Sequence, residues 1–406
     1  MIGSIFQDAL KNLTANLLRS SLTMLGVIIG VASVITMIAI VEGGQLWLVN
    51  SIERLGTNLL FVWKKRLTVE ERRLFAGRNT QLRYEDALAI RKRFPELEVA
   101  PILELDEKLK TGARDYSGRV TATSPEFSAI RNFRPATGRF LTSTDLNDWK
   151  RTIVLGQTVA EVLFGSSPVL GEEVKIKDHR FTVVGIMEAK GEIYGQNYDE
   201  MVFVPITTGL RFFKGDDKIR SLVIHVPQRD QMPQITEALH QFLVQRHEGV
   251  DDIRVRNQGE FLGAVEQTIW TFRIVLGGIA IVALLVGGIG IMNIMLVTVT
   301  ERTHEIGLRK AIGAKRRDIL LQFLIESTTI SVIGGCVGIL VGIFAAYGFG
   351  NMVAQAMPGG GDWGAVIKPS AILIAFLFAI VVGVTFGLFP AMKASKLDPA
   401  EALRYQ

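Results

Sequence analysis

Four stretches of this chain carry no charge at all: residues 22–41, 274–299, 327–350 and 371–389, which are 20, 26, 24 and 19 residues long. A helix needs about 20 apolar residues to cross the hydrocarbon core of a bilayer. One such run would suit a buried helix in a soluble domain; four in one chain do not. The expected fold is an α-helical membrane protein with four transmembrane helices. A large extracytoplasmic α+β domain sits between spans 1 and 2. The first run is too long for the apolar core of a signal peptide, usually ~7–15 residues. It ends in Ile40-Val41-Glu42, with no small-x-small cleavage site, so it reads as a retained span.

The runs and their flanks divide the 406 residues. Residues 1–21 precede span 1 at 22–41, and 42–270 form the large domain. Span 2 covers 271–299, a loop 300–318, span 3 319–350, an outer loop 351–370, span 4 371–390 and a tail 391–406.

Charge sets the orientation. The 300–318 loop holds Arg302, Arg309, Lys310, Lys315, Arg316 and Arg317 against Glu301, Glu305 and Asp318. Both termini are also net positive, whereas 351–369 holds only Asp362 and Lys368. By the positive-inside rule the termini and the 300–318 loop face the cytoplasm, and 42–270 lies outside the inner membrane. Trp47, Trp270 and Trp363 then fall at the outer interface, where amphipathic rings are favoured.

Phe6, Leu10, Leu13 and Leu17 recur with helical spacing. They predict an amphipathic helix lying on membrane lipid along the inner leaflet. Gly26/Gly30, Gly334/Gly338/Gly342 and Gly383/Gly387 have small-xxx-small spacing. That spacing lets helix backbones approach closely, within a subunit or across a dimer. Cys336 lies among them and reads as a small packing residue.

Residues 42–270 mix both periodicities. Strands are expected at 59–63, 99–105, 119–123, 152–155, 201–204, 222–226 and 253–255, and helices at 84–94, 158–164 and from Pro233. The segments 174–176 and 181–186 flank Asp178-His179 as a hairpin. Thr123, Pro125 and Glu126 suggest a capping box opening a helix. The charged run 64–73 reads as a solvated loop. A strand-rich middle, about 111–217, reads as a β-rich insertion in an α/β module.

The chain shows no chemistry of its own. A net charge of +5, spread over the whole chain, argues against a nucleic-acid partner. A single cysteine excludes an internal disulfide, and the five histidines lack ligand spacing. No Gly-Lys dipeptide occurs, so there is no Walker A phosphate loop. No catalytic residue, cofactor site or metal site is expected. Glu42-Gly43-Gly44-Gln45 looks faintly like part of an ATPase signature but has no nucleotide fold around it.

The loop Glu301-Arg302-Thr303-His304-Glu305-Ile306-Gly307-Leu308-Arg309-Lys310-Ala311-Ile312-Gly313-Ala314 is ordered for a topological loop. Glu305 and Arg309 are four apart and can pair; His304, Leu308, Ala311 and Ile312 share another face. This loop and the tail Gly387-Leu388-Phe389-Pro390-Ala391 … Leu397-Asp398-Pro399-Ala400-Glu401-Ala402-Leu403 closely resemble the MacB/FtsX-like permeases of ABC transporters, the type VII or mechanotransmission class. Residues 135–140, 154–156, 163–165, 181–186 and 204–205 resemble the MacB periplasmic core. The resemblance implies that residues 301–314, Thr303 apart, couple to an ABC ATPase subunit. The partner would bind ATP and Mg, and the permease would act as a homodimer. In a host with an outer membrane it implies a periplasmic adaptor and an outer-membrane duct. About 20 residues precede span 1, so the ATPase is expected on a separate chain. The implied function is ATP-driven efflux by mechanotransmission. The alternatives are an FtsX-like subunit controlling an extracytoplasmic hydrolase, or LolC/LolE-like lipoprotein extraction.

Overall fold

The computed structural model describes residues 17–66, 68–75, 81–112, 114–193, 196–356 and 363–404. The amphipathic segment at Phe6, Leu10 and Leu13 lies outside them. The described chain divides into two units, one built from the segments up to Trp47 and from Glu266 onward, the other from Leu48–Val265.

Four helices are long and apolar enough to cross a membrane: Leu17–Glu53, Gln258–Glu301, Arg316–Ala356 and Pro369–Lys396, of which the first unit holds all but residues 48–53 and 258–265. All four overrun the charge-free stretches. The 44-residue second helix is about 65 Å long at 1.5 Å per residue, twice the ~30 Å hydrocarbon thickness. Helical hydrogen bonding therefore continues past the point where apolar composition stops.

Close approach holds the bundle together. A Cβ on Gly26 would stand 2.6 Å from Gly287 Cα, and one on Gly30 2.9 Å from a Leu284 methyl. Gly334, Gly338 and Gly342 face Val27, Val31 and Ile35 of the first span. Gly383 faces Ser331, and Gly387 faces Ser327. Ser327 donates to Gly383 O at 3.1 Å and Ser331 to Ala379 O at 2.5 Å. Lipid is as apolar as the side chains, so such contacts replace the hydrophobic effect as the packing force. Val27, Ile35, Ile291, Met295, Phe323 and Ala379 fill the seam. Cys336, by contrast, is exposed on the third span and not packed among its glycines.

In the second unit twelve described strands are β1 Leu59–Lys64, β2 Glu98–Thr111, β3 Arg114–Thr123, β4 Pro135–Gly138, β5 Thr152–Leu155, β6 Glu173–Ile176, β7 His179–Met187, β8 Glu192–Ile193, β9 Gln196–Asn197, β10 Val202–Pro205, β11 Ser221–His225 and β12 Ile253–Asn257. Ten form one sheet in the order β12-β1-β11-β2-β3-β10-β5-β7-β4, with β6 on β2 and β7. The long β2 carries the pairing from β11 into β3 and β6, so the 111–217 strands of this sheet continue it. β6 and β7 form the expected hairpin, Ile176 opposite His179. One face packs Leu60, Val62, Leu222, Ile224 and Ile253 into a core with Leu239 and Leu243 of the helix Met232–Arg246. Another core gathers Leu59, Phe127, Phe133, Phe203 and Val223.

Two local expectations fail. Thr123 does not cap the helix Glu126–Ile130; its hydroxyl donates to Pro101 O at 2.8 Å, and Pro125 occupies the cap. Thr123 is fully buried between strands, where a cross-strand acceptor is nearer than the helix. Glu126 instead pairs with Arg91 at 2.8 Å. The charged 64–73 run is not all loop: Thr68 and Glu71 form a reciprocal capping box that opens the helix Val69–Leu74.

Candidate functional site

The second-span helix ends at Glu301. Arg302 breaks the helical path (φ −99°, ψ 16°), and a nine-residue helix runs from Thr303 to Ala311. Gly313 then reverses the chain at φ +107°, a conformation that a Cβ would strain. Asp318 accepts from Lys315 N at 3.0 Å as the third span begins.

The short helix has two unlike faces. Thr303, Ile306 and Gly307 are buried. Ile306 joins the interspan core with Ile319, Phe323, Ala391 and Ala394. A Cβ on Gly307 would meet the Cβ of Ala402 at 2.7 Å, so glycine lets the tail helix Pro399–Arg404 pack flush. Lys310 donates to Ser395 O at 2.9 Å and to Leu397 O. It thereby satisfies carbonyls left open at the end of the fourth-span helix and places a cation at its negative pole. Burial first, then Arg316, holds the Lys310 ammonium below its ordinary pKa, against the pull of Asp398.

Arg302 Nη1 reaches Glu326 at 3.4 Å. Glu326 is buried inside the third-span helix, one residue before its charge-free run. Glu326 lies within the expected third span, 319–350, but no spacing in the sequence points to its contact with Arg302.

The opposite face presents His304, Glu305, Leu308, Arg309, Ala311 and Ile312 outward. Leu308 is 52% exposed and Ile312 80%, four residues apart and outside any apolar run. The expected Glu305–Arg309 pair does not form, because Arg309 Nη1 donates to Gln322 Oε1 at 2.6 Å. Glu301 and Gly313 are exposed, and Ala314 is half-buried against the core. The predicted site residues thus fall into two groups. Arg302, Ile306, Gly307 and Lys310 clamp the helix to the spans, while the 304/305/308/312 surface is presented.

At the other end of the bundle Glu42 pairs with Arg273 at 2.9 Å and with Lys368, joining the first span to the second and to the entry of the fourth. Gln45 also accepts from Arg273 at 2.9 Å. A Cβ on Gly43 would collide with the Gly364 carbonyl, and one on Gly44 would press the Trp363 ring. The Trp47 ring lies beside that of Trp363, tilted by 35° with centroids 5.5 Å apart. This packing accounts for the Glu-Gly-Gly-Gln sequence without any nucleotide.

In the second unit His247 is buried between Asp252 (2.7 Å) and Asp86 (3.3 Å), and Arg246 also reaches Asp86 at 3.1 Å. Burial opposes the imidazolium, but the hydrogen bonds and fields of the two carboxylates outweigh it and push His247 up to about 9. Its side chain is 2% exposed, so it braces the unit and reaches no substrate. Among the described residues no group of three or more His, Cys, Asp and Glu side chains is arranged to hold a metal.

Two family models match. The MacB-like periplasmic core domain covers residues 20–242 and the FtsX-like permease C-terminal domain residues 277–399. The chain is 38% identical over 397 residues to a macrolide export ATP-binding/permease protein MacB of Hyphomonas neptunium, covering 97% of this chain and 60% of that protein. It is 39% identical over 399 residues to the protein of the same name from Marinobacter nauticus, covering 98% and 60%. The chain thus spans about three-fifths of the length of these curated relatives. The crystal structure of the periplasmic region of MacB from Actinobacillus actinomycetemcomitans aligns with a TM-score of 0.44 at 20% identity, covering 54% of this chain and 95% of that one.

Proposed function

The chain belongs to the MacB-like family of ABC transporter permeases, with an FtsX-like C-terminal domain, and from that premise we propose that it is the membrane subunit of an ATP-driven exporter. In this reading the termini and the 300–318 loop are cytoplasmic. The helix Thr303–Ala311 seats Leu308 and Ile312 in a cleft of an ATPase subunit, with Glu305 and Arg309 on the rim. ATP and Mg are held by that ATPase subunit. Two permease copies work as a homodimer, and closure of the ATPases is transmitted through the helices to the outer unit. There a substrate is expelled by mechanotransmission, with an adaptor and an outer-membrane duct where the host has an outer membrane. The relatives' macrolide export names support efflux over hydrolase control or lipoprotein extraction.

One observation carries the proposal: an exposed Leu308/Ile312 pair stands on a helix whose other face is clamped to the spans. A docked partner that moved this helix would move the spans with it. Apolar surface of this kind, rimmed by charge, marks an interaction site. The test is pull-down of the ATPase subunit and its stimulated hydrolysis in nanodiscs. Glu305→Lys and Leu308→Asp should insert normally yet lose both. Wild-type coupling in both variants would reduce the loop to a topological element.

A further inference from the structure

The second unit contains an open cleft of about 670 Å³, within the usual range for small-molecule sites. Its floor is set by strand register. Phe61 and Trp63 of β1 share one face, as alternate residues of a strand must. Arg256 of β12 stands opposite Phe61, and Ser221 of β11 opposite Trp63. Ile52, Leu55 and Tyr198 add apolar wall.

The charge of the lining is one-sided. Lys64, Arg131, Arg220 and Arg256 border the cleft, and among the described residues no Asp or Glu does. Two of these cations are partly answered from outside it, Arg220 by Glu104 at 3.1 Å and Arg256 by Glu260 at 3.7 Å. Among the described residues Lys64 and Arg131 have no carboxylate partner in an ion pair. The Arg131 guanidinium sits 5.8 Å over the Phe61 ring, which puts a cation directly on the apolar floor. Desolvation first, and then the fields of Arg131, Arg54 and Arg134, hold neighbouring Lys190 down to about 8 against Glu188, as a positive local potential would.

We infer that this cleft binds a free amphipathic organic anion, an apolar chain or compact ring system ending in a carboxylate or phosphate. The apolar body lies on Phe61, Trp63 and Leu55. The anion meets Arg131 and Arg256, whose guanidinium groups suit planar, bidentate recognition of carboxylate and phosphate. A positive cleft with low-dielectric walls concentrates anions and repels cations. As the substrate class of the exporter this rests on the proposed function; as a binding site it stands on the cleft alone.

The experiment uses the full chain in nanodiscs of zwitterionic lipid, with the fluorescent fatty acid 11-(dansylamino)undecanoate as probe and empty discs as baseline. Saturable binding at one site per chain is expected, displaced by laurate and not by dodecyltrimethylammonium. Arg256→Gln alone, an exposed change that keeps the fold, should weaken binding several-fold, and Arg131→Gln with Arg256→Gln at least tenfold. Ser221→Trp, which fills the cleft without altering charge, should also abolish it; Lys110→Gln, outside the cleft, should not alter it. Binding no greater than to empty discs, equal displacement by the cationic amphiphile, or wild-type affinity in the arginine variants would overturn the inference. Loss of probe binding would leave the ATPase pull-down standing, and loss of pull-down would leave probe binding standing, so the two readings fail separately.

Discussion

Arg302 and Glu326, 24 residues apart in sequence, meet at 3.4 Å. One stands just past the second span and the other is buried in the third. Removing the cation takes from a buried carboxylate its charged partner. We predict that Arg302→Ala destabilises the protein by roughly 2–4 kcal/mol, somewhat less than a fully buried pair because Arg302 keeps 25% of its side chain exposed. Thermal unfolding in nanodiscs measures this. Arg302→Lys, which keeps the charge, should recover part of the loss; equal loss in both would point to packing instead of the pair.

Close packing makes a second prediction. Gly26→Val forces a branched side chain against Gly287, where even a Cβ stands 2.6 Å from Cα. Overpacking of this kind costs about 1–3 kcal/mol. Gly277→Val, where a Cβ meets nothing within 4 Å, is the control and should leave the melting temperature nearly unchanged. Similar behaviour of the two variants would contradict the first-to-second span contact.

The pH dependence of the second unit follows from His247. Its folded pKa, about 9, lies above the ordinary 6.5. The stabilisation is therefore complete below about pH 6.5 and is lost as pH rises through 9. The melting temperature of the chain should fall between pH 7 and 10, and His247→Gln should flatten that slope while lowering stability at pH 6. An unchanged slope in the variant would show that other groups govern the alkaline limb.

Orientation is tested by single cysteines at Lys64 and Lys315 in a Cys336→Ala background. A membrane-impermeant reagent should label position 64 in intact cells and position 315 only after lysis. Labelling of both from outside would reverse the proposed topology of the 300–318 loop.

Gly307 offers a test of the clamp separate from the presented surface. Gly307→Leu should displace the tail helix from Ala402 and weaken coupling while Leu308 and Ile312 remain available. Protease sensitivity of residues beyond Lys396 reads out the displacement; an unchanged digestion pattern would mean the tail helix is not held there.

Sequence alone determined the elements whose cause is local. Four uncharged runs long enough to span a bilayer can be little else, and the short apolar runs 59–63 and 222–226 read as strands that bury both faces, Leu59 and Val223 in one core and Leu60, Val62, Leu222 and Ile224 in the other. Turn residues and a hydrophobic switch likewise placed the 176–179 hairpin. What the tertiary structure decided is which neighbour each residue meets. The spacing of Glu305 and Arg309 allowed a pair, but Gln322, brought in by the third span, took the arginine. Thr123 had the residue type of a cap, yet burial beside Pro101 supplied a nearer acceptor. Ile306, Gly307 and Lys310 belonged to the same motif as Leu308 and Ile312, and only the packing of Ala402 and Ser395 against them separates clamp from surface. The cleft draws on residues from 52 to 258. Its one-sided charge exists only once β1, β11 and β12 pair in register, because a local pattern fixes which face a side chain occupies and only chain closure fixes what stands opposite it.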